Sequence, residues 1–330
     1  MSTLFLIGNG FDLNCGMKTA YRDIYPGYVK EPSESNIIFN FKKSIAEDIN
    51  TWGDFELAMA EYAGTLKNEA ELLECVRDFS SYANDYLTAE ELRVEKYLQD
   101  ANVMERATYE MRESMKGFYS GFSHNIDNIM RSREAGYVNS MKVISFNYTS
   151  VFDTIFNMMR RMMALNPAKI IHIHGMLQED PFFGVDNEAQ LAVNYPITKR
   201  TKRGFIKPYF NECYDYERVE KTVNCIQEAS TICTYGLSLG DSDLTWRNAI
   251  LTWLSNYSSH HLFFYDYRFA NATYKTISEK MDMEDEAREE LLKKWNVENP
   301  EAIMERIHIP IGKNIFNIAE NWKSMERETA

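Results

Sequence analysis

A doubly wound α/β fold with a mainly parallel sheet, interrupted by a large helical insertion, is what this sequence predicts, and three observations carry it. The first is the apolar run Leu4-Phe5-Leu6-Ile7, which breaks at once into Gly8-Asn9-Gly10-Phe11-Asp12. Buried parallel strands read as continuous apolar runs, and a glycine turn behind such a strand is how these sheets bring backbone N–H groups to a phosphate. The second is recurrence: short runs rich in β-branched or aromatic residues occur at 3–7, 141–146, 169–173, 231–235, 261–265 and 306–309. Helical spacing fills the gaps between the later runs, and strands alternating with helices make βαβ units. The third is the gap 35–137, which has no strand-like run and no proline but carries charged residues at helical spacing.

Taken in order, these elements predict a Rossmann-like nucleotide-binding domain of residues 1–34 and 138–330 around a helical insertion of residues 35–137. Within the insertion, Leu72, Leu73, Val76, Phe79 and Ala83 mark one apolar face, and Met111, Met115, Phe118 and Phe122 mark another. Both read as packing faces. A further helical stretch at 271–295 precedes the last run. The Gly8-x-Gly10 spacing lacks the third glycine of the full dinucleotide fingerprint, so the pair also reads as a tight strand-to-helix turn with no ligand.

Composition narrows the function. With 45% hydrophobic and 13% aromatic residues, the 330-residue chain has the makings of a large folded core. Its net charge of −13 repels nucleic acid and anionic membranes over much of the surface. The local exception is Lys199, Arg200, Lys202, Arg203 and Lys207, bracketed by Pro196 and Pro208. This stretch reads as a solvated basic loop or as a contact to a phosphate or a nucleic-acid backbone. Cys15, Cys75, Cys213, Cys225 and Cys233 are odd in number and form no Cys-x-x-Cys pair. No disulfide framework or zinc site is therefore expected, and reduced cytoplasm fits. The N-terminus has no basic leader, and no stretch of ~18 apolar residues occurs. The expectation is a cytoplasmic protein that meets no membrane.

Ligands of open parallel sheets bind beyond the carboxyl ends of the strands. Behind the first four runs stand Gly8, Asn9, Gly10 and Asp12; then Asn147, Tyr148 and Thr149; then His174 and Gly175; and finally Gly236-Leu237-Ser238-Leu239-Gly240-Asp241-Ser242-Asp243. All four sets are expected at one sheet edge. Asn147 suits a ribose hydroxyl and a water together, because an amide donates and accepts at once, but it also suits a helix cap. His174 suits a general base. His172 and His174 alternate, so they face opposite ways unless the strand has ended by His174, and one of them is expected to be merely packed or hydrogen-bonded. Their pairing does not make a metal site, and no metal is expected. Asp12 reads either as a ligand contact or as a partner of its own turn. Asp241-Ser242-Asp243 reads as a helix cap or as a ribose contact. His260 and His261 open a strand and read as structural.

In that order the motifs strand-GNGFD, strand-SFNYT, strand-HIHG and strand-GLSLGDSD, together with Trp52-Gly53-Asp54-Phe55-Glu56, resemble the bacterial abortive-infection AbiH family from end to end of the chain. The order also looks like a distant form of the sirtuin fold around NAD. Gly8, Gly10 and Gly16 match its glycine loop, Asn147 its asparagine, His174 its histidine, and Gly236 and Ser238 its later loop. The zinc-holding cysteine pairs of protein deacetylases are absent, and Tyr148-Thr149 replaces the apolar-acidic pair after the asparagine. What the resemblance implies is an antiphage protein that hydrolyses the N-glycosidic bond of NAD to nicotinamide and ADP-ribose, not a deacetylase. Asn147 and His174 would be catalytic, and the nucleotide would be held by Gly8, Asn9, Gly10, Phe11, Asp12, Gly16, Thr19, Tyr148, Gly175, Gly236, Ser238 and Asp243. Asp54 and Glu56 would matter if the insertion folds over the pocket. The alternatives are a sensor that binds NAD or ADP-ribose without turnover and, further off, a nuclease. Unrestrained NAD hydrolysis would poison the cell, so control through a homo-oligomer or through a phage-derived or defence-system protein is expected.

Overall fold

Alternation along the strands sets the layers. The computed structural model describes residues 2–133, 135–179, 181–214 and 216–322, so the expected domain limit at residue 330 lies outside the described residues. Each of the six predicted runs contains a strand: β1 (Ser2–Ile7), β2 (Lys142–Ser145), β3 (Ile171–His172), β4 (Ala229–Tyr235), β5 (His261–Tyr265) and β6 (Ile307–His308). They form one sheet in the order β3-β2-β1-β4-β5-β6, and every neighbouring pair is parallel. This is the strand order of doubly wound dinucleotide-binding sheets, with the order reversing between β1 and β4. Ile7 is level with Ser145 on one side and Tyr235 on the other, and Ser145 is level with His172. Four carboxyl ends therefore meet at one height.

Both faces are covered. Phe5, Ile7, Val143, Cys233 and Phe263 point into one core, while Leu4, Leu6, Ile144, Ile232 and Leu262 point into the other. The first core takes its helices from Ala101–Gly117 and Val151–Met162, and the second from Leu244–Asn256 and Ile277–Lys294. The last of these falls in the stretch expected to be helical.

Between β1 and β2 the described residues are helical and contain no strand. The two apolar faces read from the sequence are packed: Leu72, Leu73, Val76, Phe79 and Ala83 are buried, as are Met111, Met115 and Phe118. The second face lies directly on the sheet. The first belongs to a third core, which roofs the carboxyl ends of the strands. Tyr25, Phe41, Trp52, Phe55 and Phe79 fill it, together with Leu177, Phe183, Val185, Phe205 and Ile206 from the crossover between β3 and β4. That contribution from the crossover was not foreseen. The helix Glu69–Leu98 runs through both structures, with Leu72 to Leu87 in the roof and Val94 and Leu98 against the sheet. Phe79 is fully buried and stacks on Phe55 with ring centroids 3.9 Å apart. Phe79→Ala should cost about 3–5 kcal/mol, measured by urea denaturation, because a rigid aromatic core refills such a hole poorly.

His260 stacks on Trp253, and His261 Nδ1 lies 2.9 Å from His308 Nε2 inside the protein, away from the strand ends described below. Among the described residues no helix is long and apolar enough to cross a membrane.

Candidate functional site

Below the roof, at the carboxyl ends of β1, β2, β3 and β4, is a pocket of about 280 Å³. Its volume is at the small end for ligand sites. Of the residues expected to hold a nucleotide or act on it, Asn9, Asp12, Thr19, Asn147, Tyr148, His174, Gly236, Ser238 and Asp243 line it.

Gly8, Gly10, Phe11, Gly16 and Gly175 are not among its lining residues. Phe11 is fully buried in the sheet core, with its ring 4.9 Å from that of Phe152. Gly16 offers its carbonyl to Arg93 Nη2, and the Gly175 N–H donates to the His172 carbonyl. The Gly8 N–H donates to the Tyr235 carbonyl and the Gly10 N–H to the Gly236 carbonyl, each at 2.9 Å. A Cβ on Gly10 would come within 2.4 Å of Gly236 Cα. The two glycines therefore make a close crossing of the β1 and β4 ends. Asn9 and Thr19 are tied to each other through Thr19 Oγ1 and Asn9 Oδ1 at 2.5 Å.

Asp12 stands two residues past that crossing. Its carboxylate does not bind its own turn. Asn147 Nδ2 donates to Oδ1 at 3.0 Å and Thr149 Oγ1 to Oδ2 at 2.7 Å, which joins the ends of β1 and β2. Burial pushes the Asp12 carboxyl up to about 7 despite these two donors, with Glu91 adding repulsion and His172 opposing it. Asn147 caps no helix: the following one, Val151–Met162, begins after Ser150, which itself makes no side-chain cap. The Asn147 N–H is held by Ser145 Oγ at 3.1 Å and its carbonyl by His172 Nδ1 at 2.8 Å. Its Oδ1 is buried and has no hydrogen-bond partner among the described residues.

β3 ends at His172, which frees His174 from strand alternation. His172 is the packed member of the pair. With Nδ1 on a carbonyl and Nε2 3.1 Å from the Asp153 carboxylate, both nitrogens must donate, so the ring is cationic. Burial works against that charge, but Asp153, the Asn147 carbonyl and Asp12 together hold the pKa above the usual histidine value. His174 Nε2 lies 3.0 Å from Asp243 Oδ1. Burial and the nearby Lys207 keep His174 below the usual value, so it is neutral near pH 7, with Nδ1 as the free base when Nε2–H faces Asp243.

Lys207, read from the sequence as part of a solvated basic loop or as a phosphate contact, is instead buried in the wall. Its ammonium is 3.0 Å from Asp243 Oδ1 and 2.6 Å from the Ser242 carbonyl. Lys202 of the same stretch pairs with Glu188. Asp243 precedes the helix Leu244–Asn256 without capping it through its side chain. The job falls to Asp186, whose Oδ2 takes the Thr245 N–H at 3.0 Å.

The Trp52–Glu56 motif folds over the pocket. Trp52 and Phe55 anchor it in the roof, and Asp54 caps the helix Phe55–Tyr62 while accepting from Ser242 Oγ at 3.0 Å. Tyr21 Oη donates to Glu56 Oε1 at 2.8 Å. Burial and the neighbouring Asp54 push the Glu56 carboxyl up to about 8, against the opposing pull of Lys207 and Tyr21. Sequence reasoning missed Tyr21 and misread Lys207, since neither stands behind a strand. Among the described residues, no three His, Cys, Asp or Glu side chains come together to hold a metal ion.

The raised carboxyls make stability depend on pH. The folded state binds protons that the unfolded chain has released, so stability is full below about pH 4 and is lost as pH rises through about 7 for Asp12 and about 8 for Glu56. The melting temperature should fall between pH 5 and about 8, and an Asp12→Asn, Glu56→Gln double variant should flatten that slope.

An all-parallel α/β sheet with a polar pocket at the reversal of strand order defines a protein of the doubly wound class. The chain belongs to the bacteriophage abortive infection AbiH family, whose model matches residues 4–265. The membership supports an antiphage role through abortive infection. No curated protein matches the chain.

Proposed function

We propose that this protein is an NAD-cleaving hydrolase of a sirtuin-like Rossmann fold, which acts in the cytoplasm and depletes the dinucleotide in infected cells. The observation that carries the reading is the buried, unpartnered Oδ1 of Asn147, next to the acid Asp12 and in the same pocket as the neutral His174. A buried acceptor without a donor is costly, and a ribose hydroxyl or the attacking water supplies the donor. In hydrolysis, the bond between the ribose anomeric carbon and the pyridinium nitrogen breaks, and its electron pair neutralises the departing nicotinamide. Water forms the new carbon–oxygen bond and passes its proton to His174 Nδ1. Asp12 faces the positive charge that spreads over the ribose in this transition state. A homo-oligomer or a phage-derived or defence-system protein controls the activity.

The test is incubation of purified protein with NAD, without added metal, and chromatography for nicotinamide and ADP-ribose. Products in stoichiometric amounts support the hydrolase. Thermal stabilisation by NAD with no product would make the protein a sensor, and the absence of both product and stabilisation would overturn the reading.

A further inference from the structure

The side chains lining the pocket are unequally charged. Asp12, Asp54, Glu56 and Asp243 face it with one lysine, Lys207, and the described lining has no arginine. That lysine is already engaged by Asp243 and the Ser242 carbonyl. The glycine N–H groups at the end of β1 are donated to the β4 loop, and the helix behind them, Gly10–Asn14, is only five residues long. Among the described residues, neither these glycine donors nor the lysine of the wall is free to take a diphosphate. Asn147, 3% exposed, contributes the unpartnered acceptor Oδ1 and so asks for a hydroxyl or water donor.

We infer that the pocket is a receptor for a cationic N-ribosyl base, with the phosphates of any nucleotide left outside, so that a phosphate-free pyridinium riboside is a ligand in its own right. The inference rests on the hydrolase reading only for turnover; for binding it stands alone. Asn147 takes a ribose hydroxyl, and the carboxyls of Asp12 and Glu56 face the positive ring. Both carboxyls retain protons above the ordinary range because burial makes their charges expensive and the nearby His172 and Lys207 offset only part of that cost. A cationic ligand supplies that compensation and displaces the protons. Its affinity therefore rises with pH through the range in which these groups titrate. The neighbours that set the range are Glu91, His172 and Cys15 around Asp12, and Asp54, Lys207, Tyr21 and Tyr148 around Glu56.

Calorimetry on the full chain with nicotinamide riboside, its uncharged 1,4-dihydro form and inorganic pyrophosphate tests this directly. The oxidised riboside should bind at least about tenfold more tightly than the reduced one, which has the same shape without the charge. Its affinity should rise about tenfold from pH 6 to pH 9, with proton release seen as a buffer-dependent heat. Pyrophosphate should not compete. Equal binding of the two ribosides, or pyrophosphate binding that displaces the riboside, overturns the inference. In Glu56→Gln, which keeps an acceptor for Tyr21, the preference for the charged riboside should shrink several-fold; an undiminished preference would remove Glu56 from it. NAD turnover without charge preference would sink this inference and leave the hydrolase standing. Charge-selective riboside binding without NAD turnover would do the reverse.

Discussion

Asn147→Ala should lower kcat for NAD by about a thousandfold while shifting the melting temperature by no more than a few degrees. The two halves of this expectation have separate causes. Asn147 Nδ2 donates to Asp12, and its Oδ1 has no partner. Truncation deletes one hydrogen bond but also removes a buried acceptor whose desolvation was uncompensated, and the two effects on stability oppose each other. Catalysis has no such compensation. In the proposed hydrolysis the amide aligns ribose or water with Asp12, and the backbone of Asn147 is already fixed by Ser145 and His172, so only the side-chain function is lost. Turnover within about tenfold of wild type would remove Asn147 from the mechanism.

Gly236→Ala should cost about 3 kcal/mol or more in urea denaturation and drive much of the protein into inclusion bodies. The φ of +64° at Gly236 strains any residue with a Cβ, and that Cβ would lie 2.5 Å from Gly10 Cα and 2.7 Å from Gly10 N and C. The obstacle is backbone on both sides, which cannot rotate away as a side chain can. Gly121 separates the two effects. Its φ is +88°, but an added Cβ there would meet nothing within 4 Å. Gly121→Ala should therefore cost only the strain, about 1–2 kcal/mol. Equal losses for the two variants would mean that the β1–β4 loop crossing tolerates movement.

Much of this could be read before any coordinates. The strands were legible because residues such as Phe5 and Leu6 are buried on opposite faces, which leaves an unbroken apolar run, and because turns of glycine and small polar residues close the runs. The strand ends placed Asp12, Asn147, His174 and Asp243 in one pocket. What escaped has a common physical origin. Lys207 and Tyr21 reach the pocket from helices with no strand to index them, and a lysine in a basic run looks solvated until the buried Asp243 is seen beside it. Gly8 and Gly10 were open to two readings because a turn that approaches a phosphate and a turn that approaches another backbone need the same residue. Phe11 followed the motif in sequence while its side chain pointed into the core. The roof itself was half visible: the periodic face at Leu72 to Ala83 was clear, but Phe183, Phe205 and Ile206 lie in a crossover with no regular pattern.

The helix Glu69–Leu98 has 30 residues with no glycine or proline, and at 1.5 Å per residue it is a rod about 45 Å long. Because one end is set in the roof and the other in the sheet layer, those two cannot pivot against each other without breaking the rod. The shorter helices Lys199–Phe205 and Lys207–Tyr214 are tied to the first turn of the rod through Glu69, which accepts from the Thr198 N–H and Thr201 Oγ1. Lys207, at the head of the second of these helices, thus stays beside Asp243 for as long as the rod holds, and the acidic wall keeps its lysine.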